Sequence, residues 1–162
     1  MEFVTVFVLP VFYAFFASLG FALLFQIRGI EMVYTSLGGG LSWAVYLFVA
    51  HCFPAETDVR AYLFAAISIA LYAEVMAIVR KRPALLYSTI AIFPIVPGAA
   101  ILRTMEYLVQ NETAKFVAQG VYSVQVSGAI AMGILFGSSA VRLIRRAVSL
   151  HRHHKRQKGM AA

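Results

Sequence analysis

Four stretches of this chain contain no Asp, Glu, Lys or Arg: residues 3–27, 32–55, 83–102 and 116–141. A helix that crosses a bilayer needs about 20 consecutive, mostly apolar residues, and each stretch reaches that length. A fifth, 61–79, is interrupted only by Glu74. Composition agrees, with 61% of the 162 residues hydrophobic and 13% charged, against about 25% charged in an ordinary soluble domain. A water-soluble enzyme of this size could not cover so much apolar surface. The expected fold is an all-α integral membrane protein of five transmembrane helices, near 3–25, 32–53, 61–79, 84–109 and 116–143. Residues 1–146 form the single membrane domain, and 147–162 a basic cytoplasmic C-terminal tail.

The distribution of positive charge sets the orientation. If all five segments cross, Arg28, the Arg80-Lys81-Arg82 run and seven basic residues between Arg142 and Lys158 fall on one side, eleven of the 14 in all. Short cytoplasmic loops carry such an excess, so the N-terminus is expected outside and the C-terminus in the cytoplasm, in a multi-pass protein of the bacterial plasma membrane. A fourth segment that dipped in and returned would put the 80–82 run and the basic tail on opposite sides. The first helix reads as a retained span, because it lacks a positive n-region and its apolar run exceeds that of a signal peptide. The net charge of +7 does not point to nucleic acid, since the basic residues collect at the ends of apolar runs and not along one face. In the tail they suit anionic lipid headgroups.

Small residues mark places where helices can approach closely: Ser36, Gly38-Gly39-Gly40 and Ser42 in the second helix, and Ser127, Gly128, Ala131, Gly133, Gly137 and Ser138 in the last. Packing through these residues is expected to bring the two helices together. The glycine run could alternatively unwind its helix.

The chemically informative segment is Phe93-Pro94-Ile95-Val96-Pro97-Gly98-Ala99-Ala100-Ile101-Leu102-Arg103. Each proline removes a backbone donor and clashes with the preceding turn, at about 3 kcal/mol in a regular helix. Two prolines and a glycine within five residues predict a broken fourth helix. Backbone exposed by a break within hydrocarbon must be satisfied by protein, water or ligand, and a restarting helix directs free amides and a positive dipole end into the gap. Arg103 lies one turn further on, where an intramembrane arginine costs about 2.5–3.5 kcal/mol and normally faces a wet cavity or a partner. Pro97, Gly98, Ala99, Ala100 and Arg103 are therefore candidate ligands of an anion, expected to be a carboxylate. The competing reading is an ordinary kink, with Arg103 snorkelling outward or pairing with Glu106.

Glu74 is the other intramembrane charge. It is either a proton-coupling carboxylate or half of a structural ion pair. Gln119, Ser123, Gln125 and Ser127 could line a polar path or join helices by hydrogen bonds. His51 reads as interfacial. Cys52, the single cysteine, and the tail residues His151, His153 and His154 have no metal-site spacing, no catalytic grouping is present, and no metal or cofactor is expected.

With the Pro-x-x-Pro-Gly segment in place, the chain resembles the threonine/serine exporter (ThrE-type) family, in particular its small, YjjB-like subunit. Gly20-Phe21-Ala22-Leu23-Leu24-Phe25, the glycine-containing second helix, Phe93 to Gly98 and Arg103-Thr104-Met105 carry the likeness, while Leu102 departs from the aromatic residue expected there. The resemblance implies export of threonine and serine or of a dicarboxylate such as succinate. It also implies a larger membrane subunit as partner, related to this one by inverted topology with substrate between the halves. A non-transporting scaffold for that partner is the alternative.

Overall fold

A computed structural model describes residues 4–53 and 59–160, with side chains described as far as Arg145. The described residues outside short connections are helical. A π-helical lead, Val4–Val8, opens into α1 (Leu9–Leu24), followed by α2 (Ile30–Cys52), α3 (Val59–Arg80), α4 (Ala84–Ile92), a 3₁₀ turn at Phe93–Ile95, α5 (Gly98–Val109) and α6 (Thr113–Met160). Pro10 sits in the first turn of α1, where a missing donor is tolerated.

The connections are short because residues other than glycine accept left-handed backbone at three helix ends, Lys81 (φ 53°) after α3 being one. Gln26 (φ 57°) and Asn111 (φ 58°) occupy the other two. Ile27 N–H then reaches the Ala22 carbonyl at 3.0 Å, and Glu112 N–H reaches that of Tyr107 at 3.0 Å. These six-to-one bonds close carbonyls that a helix end leaves open.

Four helices are long and apolar enough to cross a membrane, and α4 with α5 forms a further pair bent by 49°. A bend of that size still carries α5 forward along the direction of α4. With about 1.5 Å per α-helical residue and 2.0 Å per 3₁₀ residue, the pair advances roughly 30 Å, the depth of a hydrocarbon core. The geometry is that of one interrupted crossing, and the protein is an all-α membrane protein. α6 has 48 residues, about 72 Å at helical rise. It remains helical past residue 147, where the tail was expected to begin. The tail side chains proposed to meet lipid, and the charges Glu2, Glu56 and Asp58, lie outside the described residues.

α3 is the central helix. Its alanines and Ile69 are buried (Ala61, Ala65, Ala66, Ala70, Ala73), and it packs against α2, α4 and α6. The expected approach of α2 to the last helix does not occur: the two do not pack along each other. The last helix instead uses Gly133 and Gly137 to press against Ala66 and Ala70 of α3, where an added Cβ would lie 2.6 Å from each alanine Cβ. The α2 glycines receive α1, α3 and α4. A Cβ on Gly39 would overlap Ser18, and one on Gly38 would come within 2.9 Å of the Tyr72 ring and 3.0 Å of Ala91. Small residues do bring backbones together, but α3 and α4 intervene between the two glycine sets. The run 38–40 is regular helix and does not unwind.

Five of the buried serines and threonines bond carbonyls of their own helices, as suits polar groups in lipid, whereas Ser18 Oγ is buried without a hydrogen-bond partner. Thr35 and Ser36 bond the Met32 carbonyl, Thr104 that of Ala100, and Ser123 that of Gln119. Ser42 does more: its Oγ donates to the Gly39 carbonyl at 2.7 Å and lies 3.1 Å from the Ala91 carbonyl of α4.

Candidate functional site

The interruption follows from its prolines. Pro94 is the second residue of the 3₁₀ turn, Phe93–Ile95, that succeeds Ile92. Pro97 excludes the α conformation from the residue before it, and Val96 is accordingly extended, at φ −60° and ψ 131°. Pro97 itself (φ −78°, ψ 52°) precedes the restart at Gly98. Val96 N–H is shared between the Ile92 and Phe93 carbonyls at 3.2 and 3.3 Å, Gly98 N–H goes to Val96 at 2.8 Å, and Ile101 N–H to Pro97 at 3.1 Å. Between those last two lie the Ala99 and Ala100 amides, first-turn donors that have no acceptor within their own helix.

Beside this turn is a cavity of about 310 Å³, room for roughly ten water volumes. One side is the turn itself, through Pro94, Val96, Pro97, Ala99 and Ala100, with Arg103 of α5 above them. Gln119 and Tyr122 of α6 form a second side, and Trp43 of α2 with Tyr62 of α3 a third. Four of the five expected ligands thus share one space. Gly98 does not line it: the residue is exposed, and a Cβ there would meet nothing within 4 Å. Arg103 is exposed and forms no ion pair with Glu106 or with any other described residue. It is the only charged side chain on the cavity wall. An anion placed there would meet a guanidinium, first-turn amides and the amide and hydroxyl groups of Gln119 and two tyrosines.

Glu74 lies elsewhere. It is buried on α3, and its Oε2 stands 3.7 Å from Nη1 of Arg145 on α6. It is 12 residues from Tyr62, about 18 Å along the helix. Of the polar residues singled out on the last helix, Gln119 reaches the cavity, Ser123 and Ser127 bond back to their own helix, and Gln125 lines a separate groove with Arg60. His51 packs edge-on against Phe7, with ring centroids 6.0 Å apart.

Sequence reasoning did not find the aromatic wall. Trp43 is the sole tryptophan, one residue beyond the serine that touches Ala91, and its Nε1 is buried without a hydrogen-bond partner. Nor did it find a second polar cluster, in which Arg80 and Tyr87 bond Glu31. Opposite charges at the start of one span and the end of another, on the same predicted side, were the available signal.

Residues 10–140 match the sequence model of a family described as Threonine/Serine exporter, ThrE. The chain belongs to the threonine/serine exporter (ThrE) family. The matched stretch opens at the second residue of α1 and ends inside α6, so every wall of the cavity lies within the part that defines a ThrE member. The protein is thus a multi-pass membrane component of the threonine/serine exporter class. Comparison with curated proteins and with solved structures gave no match for this ThrE chain.

Proposed function

We propose that the protein is the small subunit of a secondary transporter that exports small carboxylate-bearing metabolites, either threonine and serine or a dicarboxylate such as succinate. The substrate carboxylate binds at the broken helix, against the Pro97–Ala100 backbone, Gly98 included, and Arg103. The carrying observation is that Arg103, unpaired in the monomer, lines the same cavity as the Ala99–Ala100 turn. Broken helices that aim half-helix N-termini at anionic substrate groups recur among secondary transporters.

In this reading the N-terminus is outside and the C-terminus cytoplasmic in the bacterial inner membrane, following the charge bias. A larger membrane subunit of the same family covers the exposed side of α5, which packs chiefly on α6. The driving ion is a proton, and Glu74 with its Arg145 partner is the candidate carboxylate for coupling.

Efflux of threonine, serine and succinate from loaded cells carrying both subunits tests this. Arg103→Ala and Ala100→Leu abolish export while membrane insertion and partner association persist. Efflux equal to wild type in both variants would instead assign the chain a scaffolding role.

A further inference from the structure

The cavity lies toward one end of the molecule, and at the other end three helices are tied together. Glu31 is in the first turn of α2, Arg80 ends α3, and Tyr87 is the fourth residue of α4. Arg80 donates from Nε and Nη2 to Glu31 Oε1 at 3.1 and 2.8 Å, and the Tyr87 hydroxyl donates to Oε2 at 2.6 Å. Both carboxylate oxygens are thereby engaged, each by a different helix. The guanidinium lies 4.9 Å from the centroid of the Tyr34 ring, and the Tyr34 carbonyl accepts the Tyr72 hydroxyl at 2.6 Å.

This cluster is remote from the cavity. Trp43 is 12 residues beyond Glu31 and Tyr62 is 18 residues before Arg80, separations of about 18 and 27 Å along their helices. The intervening space is filled. Gly38 admits the Tyr72 ring and Ala91 to the surface of α2, and Ser42 meets the Ala91 carbonyl at 3.1 Å. Between the cavity and the end that carries the 25–29 and 81–83 connections, α4 is packed on both α2 and α3. At that end one carboxylate carries both the Tyr87 bond that joins α4 to α2 and the Arg80 pair that joins α3 to α2, and the Tyr72–Tyr34 bond joins α2 to α3 beside it.

We propose that Glu31, Arg80 and Tyr87 are the closed gate of the transport cycle: a latch that holds α4 against α2 and α3 while the cavity is open to the opposite side, and that separates to expose the cavity to the other face. The inference rests on the cavity being the transport site, but not on the identity of the substrate. Glu31 is a positioning residue here and does not touch substrate. An ion pair suits the task, because its parts can be rehydrated singly at a membrane face, whereas an apolar plug offers no such exchange.

The test reads sidedness. A Cys52→Ser, Val96→Cys protein, with its partner subunit, is prepared in right-side-out and in inverted vesicles and treated with a membrane-impermeant maleimide. With the latch intact, Cys labelling proceeds from the 110–112 side only. Glu31→Gln or Arg80→Gln makes it two-sided, with at least a tenfold faster rate from the 25–29 side. Tyr87→Phe, which deletes one hydroxyl at the start of α4, shifts labelling in the same direction and serves if a charge variant fails to insert. One-sided labelling in every inserted variant overturns the latch, even if their efflux falls. Two-sided labelling in variants of a protein that exports neither amino acid nor dicarboxylate leaves the latch standing and removes the substrate assignment.

Discussion

Phe21 of α1 lies flat on Phe93 of the helix interruption, with ring centroids 4.1 Å apart and planes 7° from parallel. Phe25 adds a tilted contact to the same ring at 5.7 Å. The 3₁₀ turn before the cavity is therefore fixed from outside by the end of the first helix, which lines none of that cavity. Stacked pairs contribute about 0.5–1.5 kcal/mol beyond the area they bury. A double-mutant cycle on Phe21→Ala and Phe93→Ala, followed by unfolding in detergent, should return a coupling in that range. Additive effects would mean that the rings merely share space.

The glycines of α6 are predicted to be unequal. An added Cβ at Gly133 would lie 2.6 Å from Ala66 Cβ and 2.7 Å from the Leu63 carbonyl, whereas one at Gly128 would meet nothing within 4 Å. Backbone cannot yield as a flexible side chain does. Gly133→Ala should cost about 1–3 kcal/mol, the usual range for overpacking, and Gly128→Ala close to nothing. Stability in the same detergent decides the ordering.

Pro97→Ala should heal the helix. The change restores an N–H and frees Val96 to become helical. Amides from 96 to 100 should then gain at least tenfold protection in hydrogen exchange as efflux falls. Unchanged exchange would mean that the interruption is held by packing around Phe93 instead.

Arg103→Lys separates charge from geometry. Lysine keeps the cation but loses the planar fork that grips a carboxylate with two parallel bonds. Export should persist with KM raised about tenfold or more, equivalent to 1.4 kcal/mol of binding, while Arg103→Ala abolishes it. Equal KM values for wild type and Arg103→Lys would remove the bidentate contact.

For Glu74 and Arg145 the two partners should differ. Arg145→Ala leaves a buried carboxylate without its cation, which is the costly way to break such a pair, whereas Glu74→Gln leaves only an exposed arginine. Thermal stability should therefore fall further for Arg145→Ala. If Glu74 couples protons, Glu74→Gln also abolishes the response of export to an imposed pH gradient while the substrate still binds.

The crossings were legible because lipid imposes a length and a charge rule on each segment separately. The interruption was legible too, since proline acts on its own backbone and that of its neighbour: Val96 is extended because Pro97 follows it. Partnerships between helices were not. Gly38 and Gly133 correctly signalled close approach, but a glycine carries no record of which surface fills its gap. Trp43 and Tyr62 reached the cavity wall through a three-dimensional arrangement that no local pattern encodes. The pairing of Glu31 with Arg80 required knowing that α2 and α3 are neighbours, and Arg80 had been read for orientation alone.

The turn at 110–112 joins α5 and α6 into a hairpin, and this hairpin carries Arg103, Gln119 and Tyr122, whereas Trp43 and Tyr62 belong to the block of α2 and α3. The pocket is thus a seam between two bodies. They are clamped together near Gly133 and Gly137, well below it, where backbone touches side chain without slack. Where α6 is held there, its Cα trace has no room to shift, so any change in the width of the seam falls on its far side, as the blades of scissors move and the rivet does not.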